Sequence, residues 1–152
     1  VELIGDNPEH KIGEIAAGFF LHDIGKCRIP PEIASKRGLF TKAERARMQC
    51  HVEDGVKLLD EYKFLSNEVE IVVSQHHERH NGTGYPRGLS GDRIHLYAEI
   101  CSIADVFDGL TGFRPYRKEY SAYDALRIMK NEMFKDFNPE YFKAFVRLFG
   151  KM

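Results

Sequence analysis

The 152 residues carry 22 basic and 23 acidic side chains, a formal net charge of -1, and are 43% hydrophobic and 30% charged. That is the composition of a globular chain long enough for a substantial core, and its charge balance excludes a general affinity for polymeric nucleic acid or a membrane surface. The longest apolar run, Ile15–Leu21, is far too short to cross a bilayer, and no secretory signal is visible.

The chain reads as a single domain, residues 1–152, and its start at Val1 rather than Met is expected of a fragment of something longer. Asn7-Pro8-Glu9 is a helix opening, with Asn as N-cap, Pro at the first position and an acid in the first turn. Ile12, Ile15, Ala16, Phe19 and Phe20 follow at helical spacing, and Gly25 is expected to end this helix before Pro30-Pro31. Pro31 starts a short turn through Ala34. Thr41-Lys42-Ala43-Glu44 is a capping box opening a helix that should run to about Asp60. Ser66 caps the next, with Val69, Val72, Val73 and His76 on one face. Five glycine and proline positions between Gly82 and Gly91 mark residues 80–94 as a structured loop. A long helix then carries Leu96, Ile100, Ile103, Ala104 and Phe107 and ends near Gly112, and Phe113–Lys118 is a basic, aromatic turn. Ser121 caps a helix bearing Ala125, Leu126, Met129 and Met133. Asn138-Pro139-Glu140 repeats the opening signal, with Phe142, Phe145, Val146 and Phe149 as the buried stripe. No segment alternates with period two, so the fold class is all-α, a single bundle of six main helices.

The three cysteines, Cys27, Cys50 and Cys101, show no C-x-x-C spacing. A disulfide framework or structural zinc site is therefore not expected, and a reduced, cytoplasmic setting with the thiols as small buried fillers fits.

Chemistry concentrates at His22-Asp23, His51, His76-His77 and Asp105. Alone, each has an ordinary explanation. A His–Asp pair often caps a helix, an inward His such as His51 is usually a satisfied core residue, and His76-His77 suits a helix C-terminus. Asp105 is the outlier, because an unpaired carboxylate on an apolar helix is costly. Four helices each sending His or Asp inward are hard to explain without a cation. Imidazole and carboxylate without thiolate suit mid-series divalent metals, which make a coordinated water a usable nucleophile near neutral pH.

These stretches, His22-Asp23-Ile24-Gly25-Lys26, His51-x-x-x-Gly55, His76-His77-Glu78, Gly82-Thr83-Gly84-Tyr85-Pro86, Asp105-Val106-Phe107-Asp108-Gly109-Leu110 and Arg114-Pro115-Tyr116-Arg117, together resemble the HD-GYP family of the HD phosphohydrolase superfamily. The resemblance implies a helical domain that hydrolyses cyclic di-GMP to linear pGpG or GMP with two or three iron or manganese ions. It assigns His22, Asp23, His51, His76, His77 and Asp105 as metal ligands, with Asp23 as the bridge and Lys26 facing the scissile phosphate. Tyr85, Arg114 and Arg117 would hold the dinucleotide, although the two arginines also fit a solvated basic turn and Tyr85 a loop pin. An upstream sensor or receiver domain and a diguanylate cyclase-type partner belong to the same implication. Alternatives are a hydrolase for another cyclic dinucleotide or nucleotide, and a non-catalytic signalling module that binds cyclic di-GMP or a partner.

The chain departs from the family pattern at His80, Asn81 and Gly109, which leaves loop geometry and substrate preference open. The family also supplies a further His from an earlier helix. His10 stands twelve positions before His22, about 18 Å along a straight helix, too far to share a metal cluster. The expectation is therefore a site short of one ligand.

Overall fold

The computed structural model describes residues 11–63, 66–113 and 119–150, and every regular element among them is helical. The helices are α1 (Ile12–Leu21), α2 (Pro31–Ala34), α3 (Lys42–Gln49), α4 (His51–Glu61), α5 (Asn67–Gln75), α6 (Leu96–Thr111), α7 (Ala122–Glu132) and α8 (Pro139–Phe149), with short 3₁₀ turns at Ile24–Arg28, Gly91–Arg93 and Phe134–Asp136. The expected starts at Thr41, Ser66, Ser121 and Asn138 are all N-caps whose side chains accept a backbone N–H, and Thr41 and Glu44 form the reciprocal capping box. The Asn7-Pro8 signal and His10 lie outside the described residues.

Helix α5 is the axis of the site-bearing half. Its Val69, Val72 and Val73 are buried, and it packs against α1, α4 and α6. Val72 joins Ile15, Tyr97 and Cys101 in one cluster, while Val69 and Val73 join Leu59 in another. Gly18 lets α1 lie close on α5, since a Cβ there would stand 3.1 Å from Cβ of Val72. A third cluster of Ile103, Met129, Phe137 and Phe142 anchors α6 to α7 and α8.

Several expectations need correction. Helix α1 ends at Leu21 rather than at Gly25, which sits in the 3₁₀ turn instead. The helix expected over 42–60 breaks at Cys50 into α3 and α4. His51 donates from Nδ1 to the Met48 carbonyl at 2.7 Å, engaging an acceptor that an uninterrupted ladder would use for the next turn. The described residues therefore hold eight α-helices: the six expected main ones with one split in two, and the short Pro31–Ala34 turn as α2. Phe20 and Val146 are exposed rather than core, because period alone does not say how wide a face its neighbours cover. Cys27 and Cys50 are exposed, and only Cys101 is a buried filler.

Candidate metal centre

The site is built where α1, α4 and α5 end or begin and where α6 passes beside them. Gly25 and Gly55 permit the closest approach. A Cβ on Gly25 would lie 1.9 Å from the His51 carbonyl oxygen and 2.5 Å from the Gly55 nitrogen, so the 3₁₀ turn carrying Asp23 and Lys26 lies directly on the backbone of α4.

Three imidazoles are oriented in the same way. His22, His51 and His76 each turn Nδ1 to the carbonyl three residues earlier: Phe19 at 2.7 Å, Met48 at 2.7 Å and Val73 at 3.0 Å. A carbonyl only accepts, so this pairing puts the proton on Nδ1 and leaves Nε2 with a lone pair in the neutral ring. Nε2 of His51 and Nε2 of His76 then face each other at 3.3 Å. Oδ1 of Asp23 stands 3.3 Å from the first and 3.9 Å from the second, buried and without a hydrogen-bond partner. Three acceptors thus converge with no donor between them. Such an arrangement is repulsive in a low-dielectric interior unless a cation sits among them, so the donor set fits a divalent metal.

Two groups of candidate ligand atoms emerge, each within 4.8 Å of one another: Asp23, His51, His76 and His77, and His22, Asp23 and Asp105. Asp23 belongs to both. Its Oδ1 faces the buried imidazoles, while Oδ2 lies 3.4 Å from Nε2 of His22 and 2.5 Å from Nζ of Lys26. All six sequence-derived ligand candidates are therefore brought together.

The electrostatics separate the two groups. Burial pushes His76 down to about 4 and His77 down to about 2, and it lowers His51 as well, so these rings are neutral at neutral pH, the form a metal would require. His22 is instead raised to about 10 by the carboxylates of Asp105 and Asp23. Burial works against the ionised form of Asp23, but His22 and Lys26 outweigh it and hold this carboxyl below its usual range. Asp105 follows the same pattern, with burial opposed chiefly by His22.

Tyr85 stacks on His77 with ring centroids 4.7 Å apart, and burial pushes its hydroxyl upward, so it stays a neutral phenol. The loop that carries it is tied to Glu78, a residue to which sequence reasoning gave no role. Fully buried, Glu78 accepts from the backbone N–H of Arg87 and of Leu89, both at 2.8 Å. A charged residue next to two ligand candidates, in a segment otherwise directed inward, was the available signal. Arg79 is equally committed, donating to the His76 carbonyl and to Ser102 of α6. The departures at His80 and Asn81 are absorbed by contacts: His80 pairs with Glu99 at 2.8 Å. Asn81 donates to Asp136 while its oxygen accepts from Thr83, a division of labour an aspartate could not provide. Arg114 and Arg117 lie outside the described residues.

An all-helical bundle with inward His and Asp at the ends and inner faces of its helices defines a class, and comparison with known proteins gives it a family. The model described as HD domain matches residues 6–140, and the chain belongs to that family. Within it, the HD-GYP pattern read from the sequence holds. A cyclic di-GMP phosphodiesterase of Pseudomonas aeruginosa is 38% identical over 94% of this chain and 34% of its own length. The cyclic di-GMP phosphodiesterase response regulator RpfG of Xanthomonas campestris is 37% identical over 91% and 36%. A 3′3′-cGAMP-specific phosphodiesterase of Vibrio cholerae is 39% identical over 82% and 27%. The solved structure of an HDG"Y"P protein from Bdellovibrio bacteriovorus has the same fold, with a TM-score of 0.73 at 21% identity over 92% of this chain and 44% of that one. The chain thus spans about a third of the length of the first two curated relatives. No helix among the described residues is long and apolar enough to cross a membrane.

Proposed function

We propose that the chain is the catalytic part of a metal-dependent phosphodiesterase that hydrolyses cyclic di-GMP to linear pGpG, GMP or both. The observation that carries this reading is the convergence of Asp23 Oδ1 and the unprotonated Nε2 atoms of His51 and His76, a set of acceptors that calls for a cation. Asp23, His51, His76 and His77 would hold one ion, and His22, Asp23 and Asp105 a second, with Asp23 as the bridge. Iron or manganese suits these ligands. Ions held there supply an activated water at neutral pH and neutralise charge on the phosphate.

The chain's own residues do the rest. Lys26, held beside the cluster by Asp23, offsets negative charge that builds on the phosphoryl oxygens. Tyr85 closes one side of the cluster over His77 and orients the substrate there, and Arg114 and Arg117 hold the dinucleotide. In the overall step water adds to phosphorus and the bond to the ribose 3′-oxygen breaks. The hydroxyl stays on the new 5′-phosphate and the proton ends on the 3′-oxygen.

A second reading, hydrolysis of 3′3′-cGAMP, draws support from the Vibrio cholerae relatives named for that substrate. The response-regulator name of the Xanthomonas relative supports control by a receiver or sensor domain. The test is metal content and turnover of both cyclic dinucleotides in the wild type and in Asp23→Asn, which keeps shape and removes the bridging charge. Loss of bound metal and of turnover with the helical circular dichroism retained is expected. A fully active Asp23→Asn protein with normal metal content would refute the shared-bridge assignment.

A further inference from the structure

An open cleft of ≈ 1030 Å³ runs over the exposed edge of the cluster. It is lined by His51, His77 and Lys26 from the site and by Lys36, Arg37 and Phe40 from the connector between α2 and α3. That space suits a ligand larger than a mononucleotide, since binding sites for small molecules typically span about 300–1,000 Å³. A cyclic dinucleotide carries two phosphodiester charges; the metal cluster with Lys26 takes the scissile one, and the described residues of the lining offer Lys36 and Arg37 for the other.

The cations of the lining are not equally available for the other. Lys26 is paired with Asp23. Lys36 donates to both oxygens of Glu44, at 2.8 and 2.6 Å, so its charge is already matched. Glu44 is in turn fixed by the capping box with Thr41, which anchors the connector to the start of α3. Arg37 follows Lys36 directly, is exposed and makes no ion pair or hydrogen bond among the described residues. It is a guanidinium facing an open cleft, carried on an anchored segment, with nothing opposite its charge.

From this we infer that Arg37 binds the non-scissile phosphodiester of the cyclic dinucleotide. The inference rests on the cyclic-dinucleotide reading above. It makes the α2–α3 connector, far in sequence from the Gly-Tyr-Pro loop, a part of the substrate site that discriminates a two-phosphate ring from a simple diester.

The experiment compares Arg37→Ala and Arg37→Lys with the wild type on two substrates: cyclic di-GMP, with Kd and KM both measured, and bis(p-nitrophenyl) phosphate, which has one phosphodiester. Arg37→Ala should weaken cyclic di-GMP binding about tenfold or more, the effect of losing one contact between charged groups. The loss should fall in Kd and KM rather than kcat, and the preference for cyclic di-GMP over the small diester should fall by the same factor. Arg37→Lys keeps the positive charge but loses the fork, so it should restore most of the affinity if the partner is a phosphate. Equal affinity of Arg37→Ala and wild type would overturn the inference, as would an equal loss on both substrates or a failure of Arg37→Lys to rescue. A wild type that cleaves the small diester but neither binds nor cleaves any cyclic dinucleotide would instead remove the substrate reading itself, and this inference with it.

Discussion

Replacing Gly25 with alanine tests whether the site depends on the backbone contact beneath it. Among the described residues the glycines with positive φ are Gly82, Gly88 and Gly91, so the requirement at Gly25 is steric. The added Cβ would meet the His51 oxygen at 1.9 Å, the Gly55 nitrogen at 2.5 Å and the Gly55 Cα at 2.9 Å, all of them backbone atoms. No side-chain rotation relieves this. Since Cβ atoms essentially never come within 3.0 Å of such atoms, the 3₁₀ turn and α4 must part by roughly an ångström. Overpacking of this kind costs about 1–3 kcal/mol, occasionally more, and each 1 kcal/mol lowers Tm by about 2–4 °C in a domain of this size. The shift also separates Asp23 from His51, so affinity for divalent metal should fall with stability. Urea denaturation gives the stability change if the slope m stays constant, and metal titration of the folded variant gives the second. Gly13→Ala is the control, because nothing lies within 4 Å of its Cβ position. A Gly25→Ala protein within about 0.5 kcal/mol of wild type, the ordinary range for harmless surface changes, and with normal metal binding, would refute the reasoning.

Further outcomes follow from the same geometry. Chelation should lower Tm, because ions that bind only the folded chain contribute about 2.7 kcal/mol at a free concentration a hundredfold above Kd; an identical melting curve in excess EDTA would contradict a metal centre. Glu78→Gln must turn an amide N–H₂ toward a backbone N–H, at a cost of about 1–3 kcal/mol, and should make the 82–91 loop more susceptible to limited proteolysis; unaltered cleavage would show that the loop holds itself. Arg114→Ala with Arg117→Ala should weaken cyclic di-GMP binding by about 1.5–3 kcal/mol per lost charged contact while metal content stays the same; unchanged affinity would return both residues to a solvated turn.

How much of this was legible in the sequence varies with the distance over which the cause acts. Helix starts are local chemistry, so Thr41, Ser66, Ser121 and Asn138 could be read directly. Of the six His and Asp candidates only Asp105 conflicts with the apolar face that bears it; the others were visible through their joint occurrence in a family pattern, since each alone has an ordinary explanation. The break at Cys50 was hidden because it depends on a side chain, His51, competing for a carbonyl in the preceding turn. The meeting of Gly25 with Gly55 was hidden because it joins segments whose crossing no periodicity reveals. Glu78 looked like an ordinary charge until its two N–H partners, nine and eleven residues on, came into view. Phe20 and Val146 matched the apolar period without being covered, since a stripe in sequence is wider than the contact it makes.

The stretch His76–Arg79 gives four adjacent side chains four separate attachments: to the buried imidazole cluster, to Tyr85, to the backbone at Arg87 and Leu89, and to Ser102 of α6. Insertion or deletion of one residue would therefore misdirect all four at once. Single substitutions along it should also fail to add, because each loosens the frame on which the next depends. For anyone reshaping this protein's selectivity the stretch behaves as one indivisible mutational unit, whereas Arg37, exposed on a connector held by the Lys36–Glu44 pair and the cap at Thr41, can be varied alone.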